Sequence, residues 1–251
     1  MRKPLMAGNW KMHKTIPEAI AMVKELKPLV ADVKDVDILI CPVFTAVYPL
    51  ANELKGSNIK VGAQNVYWEP KGAFTGEIAV NMLTDAGCSF VIIGHSERRQ
   101  YFGETDETVN KRTKAALAAG LIPIVCVGET LQERESNYTF KVIEKQVKDG
   151  IKNFSKEEAE KIVIAYEPVW AIGTGKTATP QQAQEVHEFI RKTYSQMYGN
   201  DAGGKVRILY GGSVKPDNVS ELMKQPDIDG GLVGGASLEA ASFAKLVKFN
   251  G

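Results

Sequence analysis

The fold is decided by Ile162-Val-Ile-Ala-Tyr-Glu167-Pro-Val-Trp170-Ala-Ile-Gly173-Thr-Gly-Lys-Thr-Ala178. In this stretch an apolar, β-branched run that is typical of a buried strand ends at a single carboxylate, Glu167, and a glycine-containing loop follows at once. A carboxylate at the end of a buried strand is costly unless it has a partner or a chemical role. Two interpretations stay open on this segment alone. Glu167 is either a general base beside a loop that closes over a small anion, or a structural residue that caps the loop or pairs with an Arg.

Strands of the same kind recur along the whole chain. In addition to the run at 162–166, apolar runs cover 4–8, 36–41, 59–63, 90–94, 121–127, 206–210 and 228–233. Helical segments lie between them and carry start signals, such as the capping-box spacing of Thr15 and Glu18 and that of Thr179 and Gln182. Alternating strands and helices predict parallel pairing through crossover helices. We therefore predict an α/β protein, a single (β/α)₈ barrel domain over 1–251 with an outer ring of helices, rather than an open doubly wound sheet.

Composition excludes several classes of protein. The 31 basic and 30 acidic residues give a formal net charge of +1, so no broad field exists to hold nucleic acid or an anionic membrane surface. The three cysteines, Cys41, Cys88 and Cys126, are far apart in apolar sequence and are expected to be buried free thiols in a reducing compartment. No histidine stands in a zinc-binding spacing, so we expect no metal site. Apolar runs are too short for a signal peptide or a membrane span, which predicts a cytoplasmic protein.

Polar residues and glycines follow the predicted strands at their carboxyl ends. In a barrel these ends meet at one face, so residues distant in sequence converge there. This pattern favours an enzyme over a structural scaffold. In chain order the residues are Asn9 and Lys11, Gln64 and Asn65, His95 and Glu97, Glu129, Glu167, Gly211-Gly212-Ser213 and Gly234-Gly235.

Two of these residues have a chemical interpretation if they share one cavity. A lone Lys is ordinarily a surface charge, but Lys11 at the mouth of a barrel could neutralise an anionic substrate or intermediate. We predict that Ser96 is a helix N-cap, which sets His95 against the positive end of that helix. That field favours a neutral imidazole that donates a hydrogen bond. A hydrogen-bonded structural histidine is the alternative.

The glycine pairs after the last two predicted strands indicate a phosphate site. Gly211-Gly212-Ser213 and Gly234-Gly235 occupy the position where barrel enzymes bind phosphate through backbone N–H groups. A nucleotide-binding enzyme is the runner-up, because the sequence Gly-Lys-Thr at 175–177 ends like a Walker A loop. The first glycine of that motif would have to stand at Trp170, so the motif fails.

Taken in order, these segments resemble the triosephosphate isomerase family over the entire chain. The resemblance implies interconversion of dihydroxyacetone phosphate and D-glyceraldehyde 3-phosphate in glycolysis and gluconeogenesis, through an enediol(ate) and without a metal or organic cofactor. The motifs that carry it are Gly8-Asn9-Trp10-Lys11, Gly62-Ala-Gln-Asn65, Gly72-Ala-Phe-Thr75-Gly-Glu77, Gly94-His-Ser-Glu97-Arg, Cys126-Val-Gly-Glu129, Ala165-Tyr-Glu167-Pro-Val-Trp-Ala-Ile-Gly173-Thr-Gly, Tyr210-Gly-Gly-Ser213 and Gly231-Leu-Val-Gly-Gly235-Ala-Ser.

The resemblance also implies catalytic roles for individual residues. Glu167 would move the proton between neighbouring carbons. Neutral His95 would donate a hydrogen bond to the oxygen that gains charge, and Lys11 would stabilise the enediolate with help from Asn9. Glu97 matches a residue beside this machinery whose role is less settled. The alternative is a catalytically silent barrel that serves as a binding or structural protein.

Binding and assembly follow from the same resemblance. The loop 168–178 would act as a lid over the phosphate. The loop 64–77 would enter a neighbouring subunit and make a homodimer, with Thr75 near the partner's Asn9 and the partner's Lys11. The alternative is a surface loop with no role in assembly, whose aromatic residues fold back on their own barrel. The residues implied to bind the substrate are Asn9, Lys11, Gly173, Ser213, Gly234 and Gly235.

Overall fold

Eight parallel strands close into a barrel in chain order in the computed structural model, which describes residues 2–171 and 177–250. Each strand lies within two residues of its predicted bounds, so the predicted (β/α)₈ barrel is confirmed. The strands are β1 (Leu5–Asn9), β2 (Asp37–Cys41), β3 (Ile59–Ala63), β4 (Phe90–Ile93), β5 (Ile122–Val127), β6 (Val163–Tyr166), β7 (Arg207–Tyr210) and β8 (Gly230–Val233).

Helices cover the outside of the barrel between successive strands. They are α1 (Ile16–Val30), α2 (Phe44–Glu53), α3 (Val80–Asp85), α4 (Ser96–Phe102), α5 (Asp106–Ala118), α6 (Leu131–Glu135), α7 (Thr139–Gly150), α8 (Lys156–Ala159), α9 (Pro180–Tyr198), α10 (Asn200–Lys205), α11 (Val219–Met223) and α12 (Ala240–Val247). Short 3-10 turns span Val169–Ala171 and Gly235–Ser237. Within the described ranges no helix is long and apolar enough to cross a membrane.

The predicted helix starts are confirmed where a capping box marks them. Thr15 precedes α1, and its backbone N–H donates to the Glu18 carboxylate at 2.7 Å. Thr179 precedes α9, and its hydroxyl accepts the Gln182 N–H at 3.1 Å. These bonds satisfy helix-terminal donors that have no partner within the helix.

The barrel sheet is apolar on both faces, as a parallel sheet buried between two layers requires. One set of side chains fills the interior, and the alternate set packs against the helices. Cys41 and Cys126 belong to the interior set and Cys88 to the outer one, and all three are buried free thiols, as predicted. The interior set is Leu5, Ala7, Leu39, Cys41, Phe90, Ile92, Ile124, Cys126, Val163, Ala165, Leu209 and Leu232.

Closure of the barrel brings the carboxyl ends of all eight strands to one rim. β1 pairs with β2 on one side and with β8 on the other, with Gly8 beside both Ile40 and Val233. The segments after β1, β4, β6, β7 and β8 therefore face a common space, and the predicted catalytic and substrate-binding residues lie in those segments or, for Asn9, at the end of β1.

Candidate active site

A cavity of about 290 Å³ opens at this rim of the barrel. It collects the predicted residues Asn9, Lys11, His95 and Glu167 together with the two glycine loops after β7 and β8. Gly173 lies outside the described residues. The lining residues are Asn9, Lys11, His95, Glu167, Ala171, Gly211, Gly212, Ser213, Val214, Lys215, Leu232, Gly234, Gly235 and Ala236.

Lys11 is held in the cavity by an uncommon backbone conformation. Its φ is +52°, in the left-handed region that residues other than glycine seldom adopt. Its N–H donates to the Asn9 side-chain oxygen at 3.1 Å, and its C=O accepts from the Gln64 amide at 2.9 Å. The ammonium lies 2.5 Å from the Glu97 carboxylate. Predicted Glu97 does not line the cavity but contacts the Lys11 side chain that does.

His95 is itself the N-cap of α4, so the prediction of Ser96 as the cap is wrong. The His95 Nδ1 accepts the backbone N–H of Glu97 at 3.2 Å, which is the bond that a Ser or Thr oxygen would make. Ser96 is instead the first residue of the helix, and its own N–H donates to a Glu167 carboxylate oxygen at 3.0 Å. Because Nδ1 acts as an acceptor, the proton of a neutral imidazole lies on Nε2.

Glu167 and His95 form a buried pair, with His95 Nε2 2.8 Å from a Glu167 oxygen. Burial raises the pKa of Glu167, but His95, the Ser96 N–H and Lys11 together lower it, so the carboxylate is ionised at neutral pH.

Opposite influences act on His95. Burial lowers the pKa of His95, and the carboxylates of Glu167 and Glu97 raise it above its ordinary value. Protonation of Nδ1 would place its new N–H against the Glu97 N–H, which opposes that rise. We therefore assign the neutral form.

Both glycine loops line the cavity, and the loop after β7 lies where side chains would not fit. A Cβ on Gly211 would stand 2.8 Å from Glu167 Cγ, and one on Gly212 would stand 2.3 Å from the Tyr210 hydroxyl. A Cβ on Gly234 would lie 3.6 Å from Lys11 Cε, which places this loop beside the lysine side chain. Unhindered N–H groups next to a cation form a site suited to a phosphate.

Glu129, the polar residue after β5, anchors the segment that follows Glu167. Its side chain is fully buried, and one oxygen accepts from Trp170 Nε1 at 2.9 Å, from the Tyr166 hydroxyl at 3.1 Å and from Arg134 at 3.0 Å. The residue therefore ties the start of the predicted lid to β5 and α6. Its position at a strand end was the only sign of this role in the sequence.

The loop 64–77 is partly folded back and partly exposed. The rings of Tyr67 and Trp68 stack with centroids 4.0 Å apart, and the Arg112 guanidinium lies 5.0 Å from the Trp68 ring centre. Phe74 and Thr75 are exposed. Tyr67 and Trp68 thus pack within their own chain, and the tip of the loop is open to a partner.

Comparisons with known proteins agree on one family. The sequence model described as triosephosphate isomerase matches residues 4–250. The triosephosphate isomerase of Endomicrobium trichonymphae is 69% identical over 250 residues, and that of Trichlorobacter lovleyi is 62% identical over 251 residues, with all of each chain covered. The crystal structure of triosephosphate isomerase from Bartonella henselae superposes with a TM-score of 0.90 at 40% identity and covers 99% of both chains.

Proposed function

Because the chain belongs to the triosephosphate isomerase family and interconverts dihydroxyacetone phosphate and D-glyceraldehyde 3-phosphate in glycolysis, we propose that Glu167, His95 and Lys11 carry out this reaction. The observation that supports this assignment is their convergence, from β6, β4 and β1, on one cavity with two glycine loops. A carboxylate base, a neutral donor, a cation and an anion cradle are the groups that a proton shift in a small phosphorylated sugar requires.

Glu167 is the group that moves the proton. In the described arrangement one of its oxygens faces His95 Nε2 and the other accepts the Ser96 N–H, so the carboxylate must leave both partners to reach a substrate carbon. These partners lower the pKa of Glu167. Their loss raises it again and makes the carboxylate a stronger base when it meets the weakly acidic C–H.

His95 and Lys11 stabilise the negative charge that gathers on the substrate oxygen. Departure of Glu167 frees the His95 Nε2–H to donate to that oxygen, and Nδ1 keeps its bond from the Glu97 N–H. Lys11 supplies a positive charge, and Asn9 supports the lysine backbone through the bond at 3.1 Å. Glu97 fixes the ammonium at 2.5 Å and so acts on the reaction through Lys11.

The substrate phosphate binds at the glycine loops after β7 and β8. Backbone N–H groups of Ser213, Gly234 and Gly235 donate to its oxygens, and Gly173 donates from the lid. Water must be excluded during the reaction because an enediolate phosphate in open solution can expel its phosphate. The loop 168–178, which begins at the Glu129 anchor, provides that cover.

The assignment is tested by proton NMR of D-glyceraldehyde 3-phosphate in D₂O with the wild type and with Glu167→Gln. The wild type forms dihydroxyacetone phosphate with deuterium at carbon. The variant keeps the shape of the side chain but cannot act as a base, and it loses about 10²- to 10⁴-fold in rate.

Glu188→Gln is the matched control, since Glu188 is exposed on α9, and its rate equals that of the wild type. Full activity of a folded Glu167→Gln variant would reject Glu167 as the base. No conversion by the folded wild type would favour a catalytically silent barrel.

We also propose that the working molecule is a homodimer joined through the loop 64–77. Large apolar side chains are exposed in the segments around β1, β2, β3 and β4, and Met12, next to Lys11, is 91% exposed. Apolar side chains gathered into one exposed patch mark an interaction surface, and a second copy that covers these side chains would also enclose the segment at Lys11. The residues are Met12, Phe44, Tyr48, Phe74, Met82, Tyr101 and Phe102.

The chain acts as one domain over 1–251, and it works in the cytoplasm, where the other enzymes of the pathway would supply its substrate. Support comes from the continuous barrel order β1 to β8 and from the glycolytic reaction.

A further inference from the structure

Gln146 lies on the core-facing side of α7, where the packing of the helix gives no reason for an amide. Ile143, Val147 and Gly150 are buried on the same face, three or four residues from one another or from Gln146. Gln146 is half-buried, and an apolar side chain at this position would have no polar group to satisfy. The reason for the amide lies in what it contacts.

Both ends of the Gln146 amide bond a single residue, Gly128. Its oxygen accepts the Gly128 N–H at 2.7 Å, and its nitrogen donates to the Gly128 C=O at 3.1 Å. Gly128 follows the last residue of β5, so it stands just past the strand ladder. A pair of bonds to both groups of one residue is what neighbouring antiparallel strands exchange, and it fixes position as well as orientation.

Gly128 touches Glu167 through the main chain. A Cβ on Gly128 would stand 1.8 Å from the Glu167 carbonyl oxygen, so the two backbones are in direct contact. On either side, Val127 O accepts the Glu167 N–H at 2.7 Å and Glu129 O accepts the Val169 N–H at 3.1 Å. Residues 127–129 thus form the surface on which 167–169 lies, and Gln146 holds the middle of it from behind.

Open space lies beside this contact. A second cavity of about 410 Å³, separate from the substrate cavity, is lined by Gln146, Gly128, Glu167, Val169 and Ser96 among others. Backbone that borders an empty volume can relax into it when its hydrogen bonds are removed. We propose that Gln146 is a positioning residue, which acts through Gly128 to hold the Glu167 backbone where its carboxylate reaches the substrate. The proposal rests on Glu167 being the base.

The first test is Gln146→Met, which is similar in length and volume but makes neither hydrogen bond. Misplacement of the base by a few tenths of an ångström lowers kcat about 10-fold. The KM stays within about twofold, because the hydrogen bonds of Gln146 go to Gly128 and not to Ser213, Gly234 or Gly235, the residues proposed to hold the phosphate. Gln132→Met is the matched control, since Gln132 is exposed on α6, and its kcat is unchanged.

A double-mutant cycle with Glu167→Asp separates positioning from a merely structural role. The shorter Asp carboxylate is already displaced, so Gln146→Met costs clearly less in that background than in the wild type. The same loss factor in both backgrounds, or an unchanged kcat in a folded Gln146→Met variant, would overturn the proposal. An unchanged kcat in Glu167→Asp alone would contradict the base assignment instead.

A second variant keeps the test decisive if Gln146→Met does not fold. Gln146→Glu retains the length of the side chain and the acceptor for the Gly128 N–H, but it sets an oxygen against the Gly128 C=O. We expect a lower kcat with little change in KM, and again a smaller loss beside Glu167→Asp. Wild-type kcat in this variant would reject the proposal.

Discussion

Glu167 shows at the scale of one residue how a resting contact can prepare a reaction. The bonds from His95 and from the Ser96 N–H lower its pKa and keep the carboxylate ionised in a buried place. In the proposed mechanism the His95 proton that holds the resting base is the proton that the substrate oxygen needs. Both bonds cannot exist at once, so movement of Glu167 toward the substrate also releases the donor. A base and an electrophile are thereby made available in one step.

Gly211→Ala tests how tightly Glu167 is enclosed. The new Cβ would stand 2.8 Å from Glu167 Cγ and 3.1 Å from Tyr166 O, so the Glu167 side chain must shift. We expect kcat to fall about 10- to 100-fold in a folded protein, because a displacement of this size takes the base away from its working position. Steady-state kinetics in both directions measures the loss.

Gly204→Ala is the control for that substitution. A Cβ on Gly204, in α10, meets no atom within 4 Å, and the residue is exposed. Its kcat should equal that of the wild type, with slightly greater stability from the better helix former. If Gly211→Ala behaves in the same way, Glu167 is less confined than its contacts indicate.

At the scale of elements, the strands could be predicted closely and the helices only in part. Nearly all strand positions are buried, with Lys60 of β3 exposed, so the apolar run and the strand coincide, and the bounds agree within two residues. The short helices α8 and α10, of four and six residues, contain too few positions to display a 3.6-residue repeat. A local cap marks α8 instead, where the Ser155 hydroxyl accepts the Glu158 N–H at 3.2 Å.

For the site, the grouping of residues could be predicted from the sequence, but several of their contacts could not. Asn9, Lys11, His95 and Glu167 could be placed together because a barrel gathers its strand ends. Lys11 contacts Glu97, 86 positions away, and Gln146 contacts Gly128, 18 positions away. Neither contact follows from a repeat or a motif in the sequence. The N-cap was misassigned because an imidazole nitrogen replaced the hydroxyl that capping preferences lead one to expect.

The N-terminal cap of α9 offers a prediction at this scale. Thr179 accepts the Gln182 N–H and gives its own N–H to the Gln182 side chain at 3.0 Å, at the point where the predicted lid ends. Thr179→Ala removes the acceptor, and we expect the free energy of unfolding to fall by about 1 kcal/mol. Thr179→Ser keeps the hydroxyl and most of the stability. Equal losses in urea unfolding of the two variants would show that the cap bond does not contribute.

Ion pairs join distant parts of the whole molecule. Asp37 at the start of β2 pairs with Arg207 at the start of β7, 170 positions away, at 2.8 Å. Asp227, before β8, pairs with Arg191 of α9 at 2.5 Å. Asp106 at the start of α5 accepts from Arg99 at 2.7 Å, and further pairs come from lysines. The pair of Asp37 and Arg207 joins the starts of two strands that are not neighbours in the barrel.

These pairs predict how stability depends on pH. Burial raises the pKa of Asp37, Asp106 and Asp227, but bonds from neighbouring cations, and from Gln184 at Asp227, outweigh it and lower each pKa. A carboxyl group whose pKa is lower in the folded state contributes stability above its unfolded pKa of about 3.9. That stability is lost as the pH falls through the folded value.

The measurement is urea unfolding of the wild type and Asp106→Asn from pH 7 to pH 3. We expect the wild type to lose stability as the pH falls below about 4, the range in which unfolded Asp side chains take up protons. Asp106→Asn has a lower free energy of unfolding at pH 7, because Arg99 loses its partner. Its free energy of unfolding also changes less with pH in the acid range. Parallel curves for the two proteins would mean that Asp106 does not contribute to the dependence.

The exposed surface also predicts how the whole molecule assembles. Thr75 is exposed at the tip of the loop 64–77, beside exposed Phe74, and Met12 is exposed next to Lys11. In the proposed dimer this tip lies near the partner's Lys11, where Thr75→Arg would bury a positive charge beside a like charge. We expect the wild type to sediment as a dimer at micromolar concentration and the variant to sediment as a monomer. Its kcat should fall as well, because the segment at Lys11 loses its cover.

Ser136→Arg, on the exposed end of α6, adds the same charge elsewhere and should leave both the oligomeric state and kcat unchanged. A Thr75→Arg protein that stayed dimeric at nanomolar concentration would contradict the docking of this loop, since a desolvated arginine costs more than such an interface can absorb.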